Sequence, residues 1–444
     1  MIRLEESDVT YASNDVLDKD GRVFYWKNNV YRAITQNNSQ LYNELLGKKE
    51  FTDLFQKGLV ETSIADIELQ GYELVLEHKK IAFISYVTEW SGLMLKEAAL
   101  VTINLSRALL DLNLQLKDAH PWNVLFEGCQ PIYIDFSSII RKRQSRNWFP
   151  LKEFWGKIYL PLLLMSYGCA REARTLLIDP ATLRGRNITR YDVFMVLVKR
   201  LKIREVMTFL FEAQPWYRKR SGLFLDNLKH RIDKIIIPFE KTHWSEYCDE
   251  EVDISTLDSW MTKRKETYFV LRKTQPKTLL DIGSNTGWFS KLAAQNGAKV
   301  IAFDNDEPSI NKLFFNEGAR SLGILPLSMD FRFPTHAYGL GLRCQDATKR
   351  FQAEMVLALA VVHHLVFKQN TSFEIIASNL ASYTTKWLLV EFIPKEDIYV
   401  SEWYNESFAW YTLENFLVEL RNHFREMEVL PSNPEPRVLI LCTR

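Results

Sequence analysis

The stretch over residues 278–307, TLLDIGSNTGWFSKLAAQNGAKVIAFDNDE, constrains this chain more than any other. Thr278–Ile282 is a short apolar run that reads as a buried strand, and Gly283 and Gly287 bracket the tight turn after it. Residues 286–295 carry Phe289, Leu292 and Ala293 on one helical face, and Gly297 stands where a helix stop belongs. Residues 299–303 read as a second buried strand, with Asp304 at its carboxyl end. The order strand, glycine turn, helix, strand and acid is a βαβ unit of the nucleotide-binding kind. Its glycines let the backbone approach a ligand, and an acid about 20 residues on suits ribose hydroxyls.

The spacing narrows the ligand. A dinucleotide fingerprint is G-x-G-x-x-G with a helix N-terminus aimed at pyrophosphate. Here the pattern is D-x-G-x-x-x-G through Asp281, Gly283 and Gly287, which resembles the first motif of class I S-adenosylmethionine-dependent methyltransferases. Asn285 stands where that motif has its middle glycine, and Asn tolerates left-handed backbone better than most residues. The cofactor implied by the resemblance is S-adenosyl-L-methionine.

A chain of 444 residues is long for a single core, so two domains are expected, 1–240 and 241–444. The formal charge of +1 leaves no bulk basic footprint, and no nucleic acid partner is indicated. Cys129, Cys169, Cys248, Cys344 and Cys442 are scattered and lack metal spacing, so reduced thiols, a cytoplasmic setting and no metal are expected. The acidic N-terminus does not read as a signal peptide. The longest apolar run, near residues 158–165, contains Pro161 and is too short to span a bilayer.

In the first half, residues 21–35 predict a hairpin around Lys27, Asn28 and Asn29, followed by a helix over 41–55. Strands are expected at 72–77 and 81–86, and a helix over 96–113. In LQLKDAHPWNVLFEGCQPIYIDFSS, Asp118 and Asn123 are five apart and Asp135 follows an apolar strand. This is similar to the catalytic loop and Asp-Phe of kinases. The resemblance implies that Asp118 takes a substrate proton and that Asn123 and Asp135 hold magnesium. There is no glycine-rich loop near the first hairpin, and Arg32 stands where a phosphate-binding lysine is expected. The domain therefore reads as a degenerate kinase-like α+β domain. Turn and capping chemistry is the plain alternative for its three polar residues. Helices over 154–165, 192–201 and 204–211, with breaks at Gly168 and Gly185, would form its helical lobe. Residues 235–239 and 240–253, with His243, Trp244 and Tyr247, lead into a helix over 257–271.

Beyond Asp304 strands and helices alternate: helix 308–319, strand 324–329, strand 354–362, helix 373–383, strand 387–393, helix 413–424, then 427–430 and 438–442 as a terminal pair. The fold class is α/β, a doubly wound, mostly parallel Rossmann-like sheet. The methyltransferase resemblance implies seven strands with a final antiparallel pair. It also implies that Asp281, Gly283, Ser284, Asn285 and Gly287, with Trp288 and Phe289 behind them, flank the methionine part of the cofactor. Asp304 with Asn305 would meet the ribose, Asp330 with Phe331 the adenine, and Leu359 completes the set. An N-cap role is the alternative for Asp304. His363 and His364, after the fourth strand, are candidate bases, and Glu391 is a candidate to orient them or to hold the acceptor. Packing or hydrogen bonding is the alternative for each.

DIGSNTG, ALAVVHHL, VEFIPKED and the LKDAHPWN–IDFSS stretch occur together, along with THWSEY. That combination resembles the large bacterial methyltransferases related to the nodulation host-specificity protein NoeA, over nearly the full length. DFRFPTHAYG at residues 330–339 departs from the Asn-Pro-Ser-Pro-like segment common there, so acceptor identity does not carry over. The expectation is methyl transfer to oxygen or nitrogen of a glycan, glycolipid or secondary metabolite. The alternatives are a bifunctional kinase-methyltransferase and a cofactor-sensing binding protein.

Overall fold

A computed structural model describes residues 2–12, 20–143, 148, 150–179, 186–200, 202–212, 221–238, 242–246, 251–342 and 344–444. Gly185, Leu201, Phe239, Tyr247 and Cys248, named above, lie outside them. The chain divides into two compact units. One comprises Met1–Phe126, Gln130–Phe239 and Ala337–Cys344, and the other Glu127–Cys129, Glu240–His336 and Gln345–Arg444.

The first unit is built on a five-stranded antiparallel sheet ordered Thr10–Tyr11, Gly21–Trp26, Asn29–Ile34, Leu74–His78 and Thr62–Ile64. Lys27 and Asn28, with φ of 45° and 70°, make the two-residue turn of its hairpin. Helix Gln36–Leu46 starts and stops earlier than the sequence pattern suggests, ending at Gly47. The run 81–86 is not a strand: Leu74–His78 takes Thr62–Ile64 as its second neighbour. Ile81, Phe83 and Ser85 are nevertheless buried in alternation, so the period of 2 reports burial without a ladder. Helix Gly92–Asp111, capped by Ser91, buries Leu95, Ala98, Thr102, Leu105 and Leu109 along one face. Helices Ala170–Ile178, Arg190–Lys199, Ile203–Glu212 and Ser221–Asp233 follow a π-helical turn, Trp155–Tyr159, that precedes Pro161.

Among the described residues the second unit holds one seven-stranded sheet. Its strands are β1 (Thr278–Ile282), β2 (Lys299–Asp304), β3 (Leu325–Ser328), β4 (Ala353–Ala358), β5 (Thr384–Phe392), β6 (Glu426–Pro431) and β7 (Val438–Thr443). The order is β3-β2-β1-β4-β5-β7-β6. β1 to β5 run parallel, and β7 is antiparallel to both β5 and β6. Helices cover the parallel strands, so Leu279, Leu280, Ile301, Ala302, Val356 and Leu357 are wholly buried, and the strands read as apolar runs rather than as alternations.

Three boundaries differ from expectation for local reasons. Residues 254–259 form a 3₁₀ turn, and the helix starts again only at Thr262–Thr274. Asn316 ends Glu307–Phe315, and its side chain then caps Glu317–Ser321 by accepting from Ala319 N. β4 stops at Ala358, left-handed Ala360 turns the chain, and Val362–Phe367 is a short helix. His363 and His364 therefore lie in a helix.

Gly287 N-caps helix Trp288–Gln295 with φ of 80°, and an added Cβ would lie 2.5 Å from Leu313 Cδ1, itself buried. Both backbone and packing oppose a side chain here. Gly287→Ala should therefore lower unfolding stability by about 1–3 kcal/mol, measured by denaturant titration.

Candidate functional site

β1 and β2 deliver their last residues to one edge of the sheet. Gly283 N and Ser284 N both donate to Phe303 O, at 2.9 and 3.2 Å, which folds the turn back onto the end of β2. Gly283, Asn285 and Gly287 have φ of 70°, 51° and 80°. A Cβ on Gly283 would come within 2.7 Å of Val361 Cγ2, so that glycine also makes room for the segment after β4.

Asp304 joins the turn to the strand. Its Oδ2 accepts from Asn285 N and its Oδ1 from Asp306 N, each at 2.9 Å. Burial raises its pKa, and these backbone donors oppose the shift. An ionised carboxylate offers about four lone-pair sites, so two accepted bonds leave capacity for hydroxyl donors. Asp281 is buried and accepts from Ser290 Oγ at 2.5 Å. Burial, with the charge of Asp304 as a smaller cause, pushes its pKa up to about 6. Ser284 Oγ is buried with no hydrogen-bond partner among the described residues. An acid with spare acceptor capacity, a left-handed turn against it and an unsatisfied hydroxyl suit the nucleoside and amino-acid groups of S-adenosylmethionine.

Other expected residues are placed differently. Trp288 sits edge-on to Trp260, with centroids 5.1 Å apart, beneath the Arg264 guanidinium, and belongs with Phe289 to the core. Leu359 is in the same core. The resemblance implies a place for both rings behind the turn; Trp288 is a buried member of this core, and Phe289 is partly buried and packs against it. Both Asp330 oxygens are held by Arg332, and Phe331 lies 6.3 Å from the Tyr383 ring. Asn305 is exposed beside Asp304.

Glu391 is fully buried, pairs with Lys263 Nζ at 2.6 Å and accepts from Ser432 Oγ at 2.8 Å. It thus holds a lysine rather than a histidine. Lys263 also lies 5.4 Å from the Phe289 ring, and its charge acts on both Asp281 and His363. That places a cation at the carboxyl end of β5. Sequence reasoning missed Lys263, which is one of three consecutive basic residues, Lys263-Arg264-Lys265, with nothing to single it out.

His363 and His364 have ring centroids 4.2 Å apart. His363 is buried and stacks on Trp403 at 5.9 Å, and its Nδ1 has no hydrogen-bond partner among the described residues. Burial first, then His364, pulls its pKa down to about 2. His364 is only partly buried, and burial together with Lys368 lowers its pKa. Both shifts favour the neutral imidazole, and His364 is the more accessible.

In the first unit, Asn123 Nδ2 donates to Asp135 Oδ2 at 3.4 Å, and Tyr133 OH donates to the Asp118 backbone carbonyl at 2.8 Å. Asp135 Oδ1 accepts from Ser137 Oγ at 2.7 Å and pairs with buried Arg32 at 3.4 Å. Among the described residues no group of three or more His, Cys, Asp or Glu side chains is arranged to hold a metal ion.

Lys263→Met would strand the Glu391 carboxylate in the interior without its cation. Removing one partner of a buried pair costs about 3–5 kcal/mol, so a loss of that order is expected in denaturant unfolding. A Lys263→Met/Glu391→Leu double variant should recover most of it.

No family model matches the chain. It is 29% identical over 419 residues to the nodulation protein NoeA of Rhizobium meliloti (strain 1021), covering 86% of this chain and 84% of that protein. The resemblance to NoeA read from the motifs therefore extends along most of both chains. Among solved structures, monomeric WbdD is 19% identical over 46% of this chain and 44% of its own, with a TM-score of 0.31. Magnesium protoporphyrin IX methyltransferase (ChlM) from Synechocystis PCC 6803 with bound SAM is 17% identical, with 45% and 89% covered and a TM-score of 0.30. The N-methyltransferase NodS from Bradyrhizobium japonicum WM9 is 12% identical, with 44% and 99% covered and a TM-score of 0.31. The chain spans less than half of WbdD. Among the described residues no helix is long and apolar enough to cross a membrane.

Proposed function

We propose that this chain is an S-adenosylmethionine-dependent methyltransferase acting on an oxygen or nitrogen of a glycan, glycolipid or other small-molecule acceptor. The observation that carries the reading is Asp304, at the carboxyl edge of a β3-β2-β1-β4-β5-β7-β6 sheet, with its carboxylate on the backbone of the glycine turn. Similarity to NoeA over most of the chain supports it.

S-adenosylmethionine, when bound, supplies a methyl group on a positively charged sulfur. The chain's part is to bind and orient. Asp304 offers its remaining lone pairs to the ribose hydroxyls, and Ser284 Oγ gains a partner. Buried Asp281 anchors the turn through Ser290 and places negative charge below it. His364, neutral and partly accessible, is in the form that accepts a proton from an attacking hydroxyl. His363, buried against Trp403, positions it.

The first unit reads as a kinase-like domain without phosphotransfer. Arg32 supplies the cation at Asp135, so the carboxylate that would hold magnesium is already paired. This favours a supporting domain over the bifunctional alternative.

Asp304→Ala removes the acceptor of two hydroxyls, and hydrogen bonds to a charged group contribute about 1.5–3 kcal/mol each. S-adenosylhomocysteine affinity should fall by about 100-fold or more in calorimetric titration. With labelled cofactor and fractionated cell extract, label is expected in glycan or small-molecule fractions. Label confined to protein or RNA would contradict the small-molecule acceptor.

A further inference from the structure

We propose that Trp244, Trp403 and His364 wall the acceptor subsite, and that it takes a sugar ring presenting a neutral hydroxyl. The proposal rests on the methyltransferase reading and names the acceptor class that this reading leaves open.

Trp244 stands edge-on to His364, with centroids 5.3 Å apart at 84°, and Trp403 lies 5.2 Å from the same imidazole. Trp244 is 43% exposed, a large indole surface presented to solvent. Its position is fixed from the cofactor turn. Asn285 Nδ2 donates to the Trp244 carbonyl at 2.9 Å, while Asn285 N is on Asp304. Two residues earlier, Thr242 Oγ1 donates to Asp306 Oδ2 at 2.9 Å. Asn285, where the motif elsewhere has glycine, thus ties the turn to an aromatic wall, a contact that glycine lacks the atoms to make.

Charge around the imidazole pair selects among acceptors. Lys368 Nζ lies 3.9 Å from the centre of the Trp403 ring, and Lys263 and Arg437 act on His363. The two carboxylates among these groups are already engaged, Glu391 with Lys263 and Asp397 with Arg437. The Lys368 ammonium against Trp403 disfavours a protonated amine, which would meet like charge on entering. A hydroxyl carries no such penalty. Sugar rings pair an apolar C–H face with a hydroxyl rim, and indole surfaces beside an imidazole nitrogen complement both.

The test uses the whole chain saturated with S-adenosylhomocysteine on an array of neutral oligosaccharides and their amino-sugar counterparts. Wild type should bind neutral sugars over the amino forms. Trp244→Ala should weaken that binding at least tenfold, and Trp244→Phe should restore most of it. Asn285→Gly should weaken it by releasing Trp244. S-adenosylhomocysteine affinity of both Trp244 variants should match wild type. The proposal is overturned if wild type binds no sugar, if it prefers amino sugars, or if Trp244→Ala binds as wild type does. Failure of wild type to bind S-adenosylhomocysteine would instead overturn the methyltransferase reading itself.

Discussion

The second unit depends on the contact between the Asp304 carboxylate and the backbone amides of Asn285 and Asp306. It is where strand, turn and the following helix are held at one point. Of the three left-handed residues of the turn, Gly283 donates to Phe303 O and Gly287 to Ser284 O, and the Asn285 amide is the one that Asp304 takes. A part-buried carboxylate stays ionised most readily where donors face it, and backbone amides of fixed geometry meet that condition. The same group that holds the loop is then presented, with lone pairs to spare, at the sheet edge where ligands of doubly wound folds bind.

A second constraint lies beneath it. Glu391 is wholly enclosed, and Lys263 with Ser432 satisfies its two oxygens. Such a pair contributes little net stability, because both charges lose water, but it fixes where each charge sits. Here it sets a cation from the helix preceding β1 within electrostatic range of Asp281 and His363. The charge pattern of the site is therefore built partly by residues far apart in sequence.

That distance explains what could be read from the chain. Local features were legible: β1 at Thr278–Ile282, the positive-φ turn, the helix stop at Gly297 and Asp304 at the end of β2 all follow from spacing and residue type. Contacts across the fold were not. Nothing in Lys263-Arg264-Lys265 marks the lysine that reaches Glu391, and nothing in THWSEY announces that Asn285 holds the Trp244 carbonyl. The run 81–86 was misread because alternating burial arises without strand pairing. The sequence pattern runs the fourth strand to residue 362, whereas left-handed Ala360 ends the extended backbone and sets His363 and His364 in a helix.

The most direct measurement is a crystal structure of the whole chain with S-adenosylhomocysteine. The account predicts its ribose hydroxyls on Asp304, its amino-acid end over the Gly283–Gly287 turn, and its sulfur facing His364. Density for the ligand elsewhere, or an Asp304 carboxylate that touches no part of it, would contradict the account.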